Sequence, residues 1–217
     1  MKDSAVVSFS NKNGRYYMGM ERLSKSLQRF FTGDFIGFKD EEKNGFPLHS
    51  ENPYAFKVFA IEKVKEMGYR YVLWLDSSVF AIKDISPVFD LIKKNGFVFQ
   101  FAGHYVGAWS NDFALKYFGI TRQEAMKMPM IGNAGLLGFD FQNPHGIELF
   151  GKWKLSMEAG CFKGSWKDHR HDMTCSSIII NQMGIIDYAI QGDQVLEYQH
   201  GDAPARDGSI LFKASGM

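Results

Sequence analysis

Short apolar segments alternate along this sequence with segments of helical periodicity, and that order constrains the fold more than any other feature. Residues 5–9 and 71–75 are largely apolar, without the polar alternation of a strand that has one wet face. Apolar residues recur at helical spacing over 16–31 and again over 85–95. This alternation predicts an α/β fold with a central, mostly parallel sheet flanked by helices.

Further strands and helices continue the same pattern to the end of the chain. Asn52-Pro53 is typical of a helix start, since proline needs no amide hydrogen bond at the first helical position, and Gly68 is typical of a helix end. Within that helix Lys57 is predicted to face solvent with Glu62, Lys63 and Glu66. Strands are also predicted at 35–38, 97–101 and 134–139, and helices at 112–118, 121–128, 144–159 and 172–183. No repeat or proline-rich linker divides the sequence, which predicts a single domain over residues 1–217.

Charge and composition exclude several classes of protein. The 25 basic and 24 acidic residues give a net charge of +1, and no dense basic stripe is present, so a dedicated nucleic-acid binder is excluded. No run of eighteen apolar residues predicts a transmembrane segment. The first apolar run is too short for a signal peptide, and Cys161 and Cys175 match no metal or redox spacing. A cytoplasmic location is therefore the expectation.

Asp76 follows the most apolar predicted strand directly and is followed by Ser77 and Ser78. In parallel sheets, ligands bind beyond the carboxyl ends of the strands. A carboxylate there, beside two hydroxyls and backbone amides, suits a divalent cation that neutralises a diphosphate. Asp76 as a simple turn cap is the alternative.

Two other polar segments are candidate sites. The first is 168–172, Asp-His-Arg-His-Asp, which opens a predicted helix whose N-terminus favours negative charge or a bound phosphate. It equally suits a solvated capping cluster, and His169 with His171 make only a weak metal signature. The second is 198–202, Tyr-Gln-His-Gly-Asp, in which His200 is either a metal or substrate ligand or, as is typical of a histidine before a glycine, a loop residue.

The segment 131–138 holds three glycines but lacks the dinucleotide-binding fingerprint. Gly135 and Gly138 within a strand pattern indicate that a ligand or a neighbouring helix comes close to the backbone.

These motifs, in this order, resemble the GT-A glycosyltransferases over about residues 5 to 200. The strand ending in Leu75-Asp76-Ser77-Ser78 resembles the metal-binding strand and turn of that fold. Asn133-Ala134-Gly135-Leu136-Leu137 is similar to the N-A-G strand of family 8-like enzymes. His169-Arg170-His171-Asp172 resembles the H-R-H-D-Q segment of a poorly characterised GT-A-like group, with Met173 in place of the glutamine.

The resemblance implies a nucleotide-diphosphate sugar donor, a UDP-sugar above all, a glycan or other hydroxyl acceptor, and Mn²⁺ or Mg²⁺. It implies that Asp76, Ser78 and His200 hold the metal, with Ser78 standing where the D-x-D motif has its second acid. It implies that Asp172 is the catalytic acid facing the sugar. The donor-binding residues it implies are Ser8, Ser10, Asn11, Arg15, Asp76, Ser77, Asn133, Gly135 and His171.

Three functions follow from these residues. The first is glycosyl transfer, in which a cation and Arg15 stabilise the leaving diphosphate. Asp172 then either stabilises the positive charge of the sugar or acts as a general base on the acceptor hydroxyl. The second is a nucleotide-sugar or glycan-binding domain without turnover. The third is a metal-dependent hydrolase that uses His169, His171 and Asp76.

Overall fold

The computed structural model describes residues 2–11, 14–131, 135–191, 194–199 and 209–215. In these residues the strands are β1 (Lys2–Ser10), β2 (Asp34–Lys39), β3 (Tyr69–Leu75), β4 (Val79–Ala81), β5 (Phe97–Phe99), β6 (Phe101–Tyr105), β7 (Pro129–Ile131), β8 (Leu136–Asp140), β9 (Leu196–Gln199) and β10 (Phe212–Ser215). The helices are α1 (Arg15–Phe30), α2 (Ala55–Glu66), α3 (Ser86–Asn95), α4 (Asp112–Tyr117), α5 (Arg122–Ala125), α6 (Pro144–Glu158) and α7 (His171–Gln182).

A five-stranded central sheet has the order β2-β1-β3-β8-β5. The pairs β1–β2 and β1–β3 are parallel, whereas β8 is antiparallel to both β3 and β5. Four strands therefore run in one direction, and the sheet is mostly parallel as predicted. The strand predicted at 134–139 runs against its neighbours, a direction that its apolar composition did not reveal.

Helices cover both faces of this sheet, which explains why its strands lack polar alternation. The helices α2, α6 and α7 pack with one set of strand side chains, including Val72, Trp74 and Phe139. The helices α1 and α3 pack on the other face, against Leu73 and Leu75 among others. The predicted arrangement of a sheet flanked by helices is thus confirmed.

The glycine-rich strand was predicted to lie close to either a ligand or a neighbouring helix, and the surroundings of Gly138 distinguish the two. A side chain at this position would meet Ile92 of α3 and Val98 of β5 at 2.6 and 2.7 Å. The neighbour at Gly138 is therefore protein, and the absence of a side chain lets α3 pack tightly on β8.

The start of α2 and the extent of the strand at 97–101 differ from the predictions. Asn52 does not cap α2: it lies in a turn, with its N–H donated to the Leu48 carbonyl oxygen, and α2 begins at Ala55 after Tyr54. The segment 97–101 is not one strand. It divides at Gln100, which bridges Ile190, so that β5 joins the central sheet and β6 pairs with β7.

Two small sheets complete the described chain. One has the order β4-β10-β9, and the other pairs β6 with β7. Within the described ranges, the helices are all too short or too polar to span a membrane.

Candidate functional site

A cavity of about 510 Å³ opens beyond the carboxyl ends of β1 and β3. These two strands are parallel neighbours, so the residues that follow them meet at one edge of the sheet. The cavity is lined by Phe9, Ser10, Asn11, Tyr16, Glu41, His49, Tyr54, Phe56, Lys57, Trp74, Asp76, Ser77 and Ser78. The predicted Asp76–Ser78 turn therefore forms part of the wall of this cavity.

Asp76 is fixed in place by bonds to both its side chain and its backbone. The Trp74 Nε1–H donates to Asp76 Oδ1 at 2.8 Å, and the Asp76 backbone N–H donates to the carbonyl oxygen of Gly135 at 3.1 Å. Gly135, a predicted donor-binding residue, thus lies against the turn. The Asp76 side chain remains 34% exposed, so its carboxylate is accessible from the cavity.

Lys57 is the main residue of the candidate site that the sequence does not reveal, since its pattern predicts a side chain that faces solvent. Its side chain is buried, with the whole residue 2% exposed, and it lines the cavity. Its Nζ lies 3.2 Å from Asp76 Oδ1 and 3.0 Å from Asp172 Oδ2. The sequence did carry a signal, because Lys57 belongs to the same helical stripe as the buried residues Ala60, Ile61 and Val64.

Burial and charge act against each other on this lysine. Burial alone lowers the pKa of Lys57, but attraction to Asp172 and Asp76 outweighs it, so the pKa lies above its ordinary value. The ammonium group is therefore charged at neutral pH and joins the two carboxylates.

Asp172 lies in the first turn of α7 and is only 2% exposed. Burial raises the pKa of its carboxyl above the ordinary value, and the nearby Lys57 opposes that rise. The Trp153 indole N–H donates to the Asp172 backbone oxygen at 3.1 Å and so fixes the start of the helix. Asp172 is not among the residues that line the cavity, and its link to the cavity runs through Lys57.

Tyr54 directly precedes α2, the helix of Lys57, and His171 is the first residue of α7, the helix of Asp172. The two rings contact each other, with centroids 5.3 Å apart. Burial, followed by the charge of Asp172, raises the pKa of Tyr54 to about 12. His171 Nδ1 lies 2.7 Å from the Phe162 carbonyl oxygen, which only accepts, so Nδ1 carries the proton. Burial lowers the pKa of His171. His171 is thus a neutral side chain packed at the back of the cavity wall formed by Tyr54.

Trp166 is exposed beside this pair. Its indole stacks on His171 at 5.6 Å and contacts Tyr54 at 5.9 Å, yet 53% of the residue is accessible. The Arg170 guanidinium lies between Trp166 and Trp109, at 4.2 and 3.7 Å from the two rings. The exposed indole is therefore held firmly next to the cavity.

His169 has a structural role. Its Nε2 donates to the Cys161 carbonyl oxygen at 2.8 Å, and its Nδ1 accepts from the Asn111 backbone N–H at 3.3 Å. Burial lowers its pKa to about 4. With both ring nitrogens bonded, His169 has no position left for a metal, which speaks against the hydrolase hypothesis.

The described part of the chain supplies few ligands for a divalent cation. Asp76 Oδ1 is already bonded to Trp74 and lies beside the Lys57 ammonium, and Ser78 contributes no charge. No group of three His, Cys, Asp or Glu side chains suited to a metal occurs among the described residues. These donors fit Mn²⁺ or Mg²⁺ poorly, and the third predicted ligand, His200, lies outside the described residues. The metal stays a prediction.

The predicted donor-binding residues of β1 lie at the same edge of the sheet. Ser8 and Ser10 are buried, and neither hydroxyl has a hydrogen-bond partner among the described residues. Asn11 lines the cavity, whereas Arg15 is exposed at the start of α1, outside the lining. Asn133 lies outside the described residues.

Comparison with known proteins identifies the fold. No family model matches the sequence, and no curated protein matches it. Among solved structures, the apo structure of WbbM, a bifunctional glycosyltransferase, is similar over 91% of this chain, with a TM-score of 0.53 and 14% identity. The chain therefore shares the fold of part of this glycosyltransferase. It spans 40% of the length of the WbbM chain, and neither membership of family 8 nor the H-R-H-D group is shown.

Within this fold, three distant segments bring charged groups to one place. They are the start of α2 with Lys57, the end of β3 with Asp76, and the start of α7 with Asp172. At the end of β1, Ser10 lines the same cavity, and its buried hydroxyl has no partner within the described part of the chain. Such an arrangement can bind a polar ligand and stabilise charge that changes during a reaction.

Proposed function

We propose that the chain is a glycosyltransferase that moves a sugar from a nucleoside-diphosphate donor, a UDP-sugar first of all, to a hydroxyl acceptor. The observation that carries this proposal is the two ion pairs of Lys57, one with Asp76 at the cavity wall and one with the buried Asp172. The similarity of the fold to the glycosyltransferase WbbM supports it.

We assign the nucleoside end of the donor to β1. Ser10 lines the cavity, and its buried hydroxyl has no partner among the described residues, a costly condition that a ligand would relieve. Ser8 is fully buried and lies outside the cavity lining. Asn11 and the ring of Tyr16 complete this side of the cavity with an amide and a stacking surface. These groups suit the polar edge and the flat face of a base, with the ribose nearby.

We assign the diphosphate and the sugar to the side of Asp76 and Lys57. In the reaction the bond between the anomeric carbon and the phosphate oxygen breaks, and its electron pair stays on the diphosphate. The acceptor oxygen bonds to the anomeric carbon and passes its proton to the departing diphosphate. The Lys57 ammonium faces the developing negative charge, and Arg15 at the start of α1 adds a second cation to this end of the molecule.

Asp172 acts on the reaction through Lys57. Its carboxylate is buried outside the cavity lining, so it does not reach the anomeric carbon, and its contact with Lys57 keeps the ammonium at the cavity wall. The catalytic role that the resemblance implies for Asp172 therefore becomes a positioning role in this proposal.

The test is release of nucleotide from a panel of UDP-sugars and GDP-mannose, with and without simple glycoside acceptors. Asp76→Asn keeps the shape of the side chain and is expected to lower turnover by about a hundredfold or more, the cost of losing one charge-stabilising group. Asp90→Asn is the matched control, because Asp90 is an exposed carboxylate on α3. Equal turnover by both variants would refute the proposal.

A nucleotide-sugar-binding domain without turnover is the second candidate, and the burial of Asp172 behind Lys57 favours it. In that case calorimetry detects binding of a nucleotide sugar, and Asp76→Asn weakens it, while no sugar is transferred or hydrolysed with any acceptor. The same panel therefore separates the two functions.

A further inference from the structure

The charges around the Asp76 turn are balanced by protein side chains. Lys57 lies on one side of the turn, 3.2 Å from Asp76 Oδ1. Arg22 of α1 approaches from another side, and its Nη2 donates to the Ser78 backbone oxygen at 2.7 Å. Two basic side chains thus accompany the two carboxylates, Asp76 and Asp172, so the formal charges of these four groups sum to zero.

Such a site is expected to bind a divalent cation only weakly. Hard cations bind where carboxylate oxygens outnumber nearby positive charges. Here the turn holds one carboxylate, that of Asp76, and its Oδ1 already has two donors, Trp74 Nε1 and Lys57 Nζ. A cation bound at this carboxylate would lie close to the Lys57 ammonium and be repelled by it. Ser77 and Ser78 add hydroxyls without charge.

Lys57 meets the requirements for the positive charge that a diphosphate needs. It is fixed by two carboxylates, lines the cavity, and projects from a helix whose stripe of buried residues anchors it. An ammonium group has three donors and serves as a compact point charge for phosphate oxygens.

We infer that Lys57 takes the place of a divalent cation in this cavity, so that the chain binds a nucleoside diphosphate without metal. This inference rests on the proposed function, because it concerns the diphosphate of the same donor. It departs from the Mn²⁺ or Mg²⁺ that the sequence predicts.

The experiment measures binding of UDP, GDP, ADP and CDP to the full chain by thermal shift and calorimetry, in EDTA and then in excess Mn²⁺ or Mg²⁺. We expect one of these nucleotides to bind in EDTA with an affinity that the metals leave essentially unchanged. Lys57→Met should lower that affinity by about tenfold or more, the loss of a charge-assisted hydrogen bond. It should also make binding respond to Mn²⁺, since Asp76 loses its competing cation.

Two variants control for damage to the fold. Lys57→Met alone leaves Asp172 buried without its partner, so the double variant Lys57→Met/Asp172→Asn, which removes both charges, is measured beside it. Lys152→Met is the matched lysine control, because Lys152 is paired to Glu148 on the surface of α6.

The outcomes distinguish failure of the role of Lys57 from failure of the proposed function. Nucleotide binding by the wild type only when metal is added would overturn the role of Lys57 and leave the glycosyltransferase proposal intact. Equal affinity of the wild type and both Lys57 variants in EDTA would also overturn it. Failure of all four nucleotides under every condition would contradict the proposed function itself.

Discussion

Tyr54 and His171 both have a positive φ, 61° and 47°, and their rings contact each other at 5.3 Å. Neither is a glycine, so each backbone conformation carries a cost of order 1 kcal/mol or more. The residues stand at the starts of α2 and α7, the two helices that carry Lys57 and Asp172. The strain therefore lies at the two points that fix the Lys57–Asp172 ion pair.

Substitutions at Tyr54 separate the backbone strain from the ring contacts. Tyr54→Gly and Tyr54→Ala both remove the ring, but glycine accepts the positive φ without cost. We expect the glycine variant to be more stable than the alanine variant by about 1 kcal/mol in urea denaturation. At Tyr117, in helix α4, the order should reverse because glycine is the poorer helix former. The same order at both positions would contradict the strain at Tyr54.

The low pKa of His169 predicts a loss of stability in acid. The unfolded chain protonates this side chain below about pH 6.5, whereas in the fold its pKa is about 4. Between these values the unfolded chain holds more protons, so the free energy of unfolding falls as the pH drops. The expected contribution is about 2 kcal/mol between neutral pH and pH 5.

The measurement is urea denaturation as a function of pH. His169→Gln removes the titrating group, so its unfolding free energy should depend less on pH than that of the wild type over this window. His145→Gln, at an exposed position on α6, should keep the wild-type dependence. An unchanged slope in His169→Gln would show that His169 does not titrate differently in the folded and unfolded chains.

The unpaired hydroxyl of Ser10 predicts opposite effects on stability and on binding. Ser10→Ala removes a buried hydroxyl that has no partner among the described residues, so the free energy of unfolding should stay within about 0.5 kcal/mol or rise. Nucleotide affinity should fall by about threefold to tenfold, as one hydrogen bond is lost. Ser177→Ala is the contrasting control, since Ser177 Oγ accepts from the Ile131 N–H. It should cost about 1–3 kcal/mol of stability and leave nucleotide affinity unchanged. A Ser10→Ala chain that binds nucleotide normally would remove Ser10 from the donor site.

Exposed Trp166, stacked on His171 beside the cavity, is expected to contact the acceptor sugar. Trp166→Ala should raise the KM for the best glycoside acceptor by about threefold to tenfold, the worth of one stacking contact. Hydrolysis of the donor in the absence of acceptor should not change, and Trp166→Phe should retain most of the affinity. An equal loss of donor hydrolysis would mean that Trp166 acts through His171 and Tyr54 instead.

The sequence predicted those parts of the fold that depend on local patterning. Continuous apolar residues in 71–75 indicated a buried strand, and the position of Asp76 directly after it indicated an edge residue, which the cavity confirms. The direction of β8 was not predictable, because a strand buried on both faces has the same composition whether its neighbours are parallel or antiparallel.

The site was harder to predict than the fold, for a reason that Lys57 illustrates. A lysine in a helix is usually solvated, and only the positions of Asp76 and Asp172, brought near by tertiary packing, explain its burial. His169 gives the converse case. It looked like a candidate ligand in a polar segment, yet backbone groups of Cys161 and Asn111 use both of its nitrogens.

The hydrogen bond from Trp74 to Asp76 gives the cavity an intrinsic optical reporter. The indole of Trp74 is buried and donates directly to the carboxylate that lines the cavity. Indole emission responds to the charge around its N–H, so any molecule that changes the surroundings of Asp76 should shift the fluorescence of Trp74. Titrations of unlabelled compounds are then followed by emission alone, and Trp74→Phe separates the signal of Trp74 from that of the exposed Trp166.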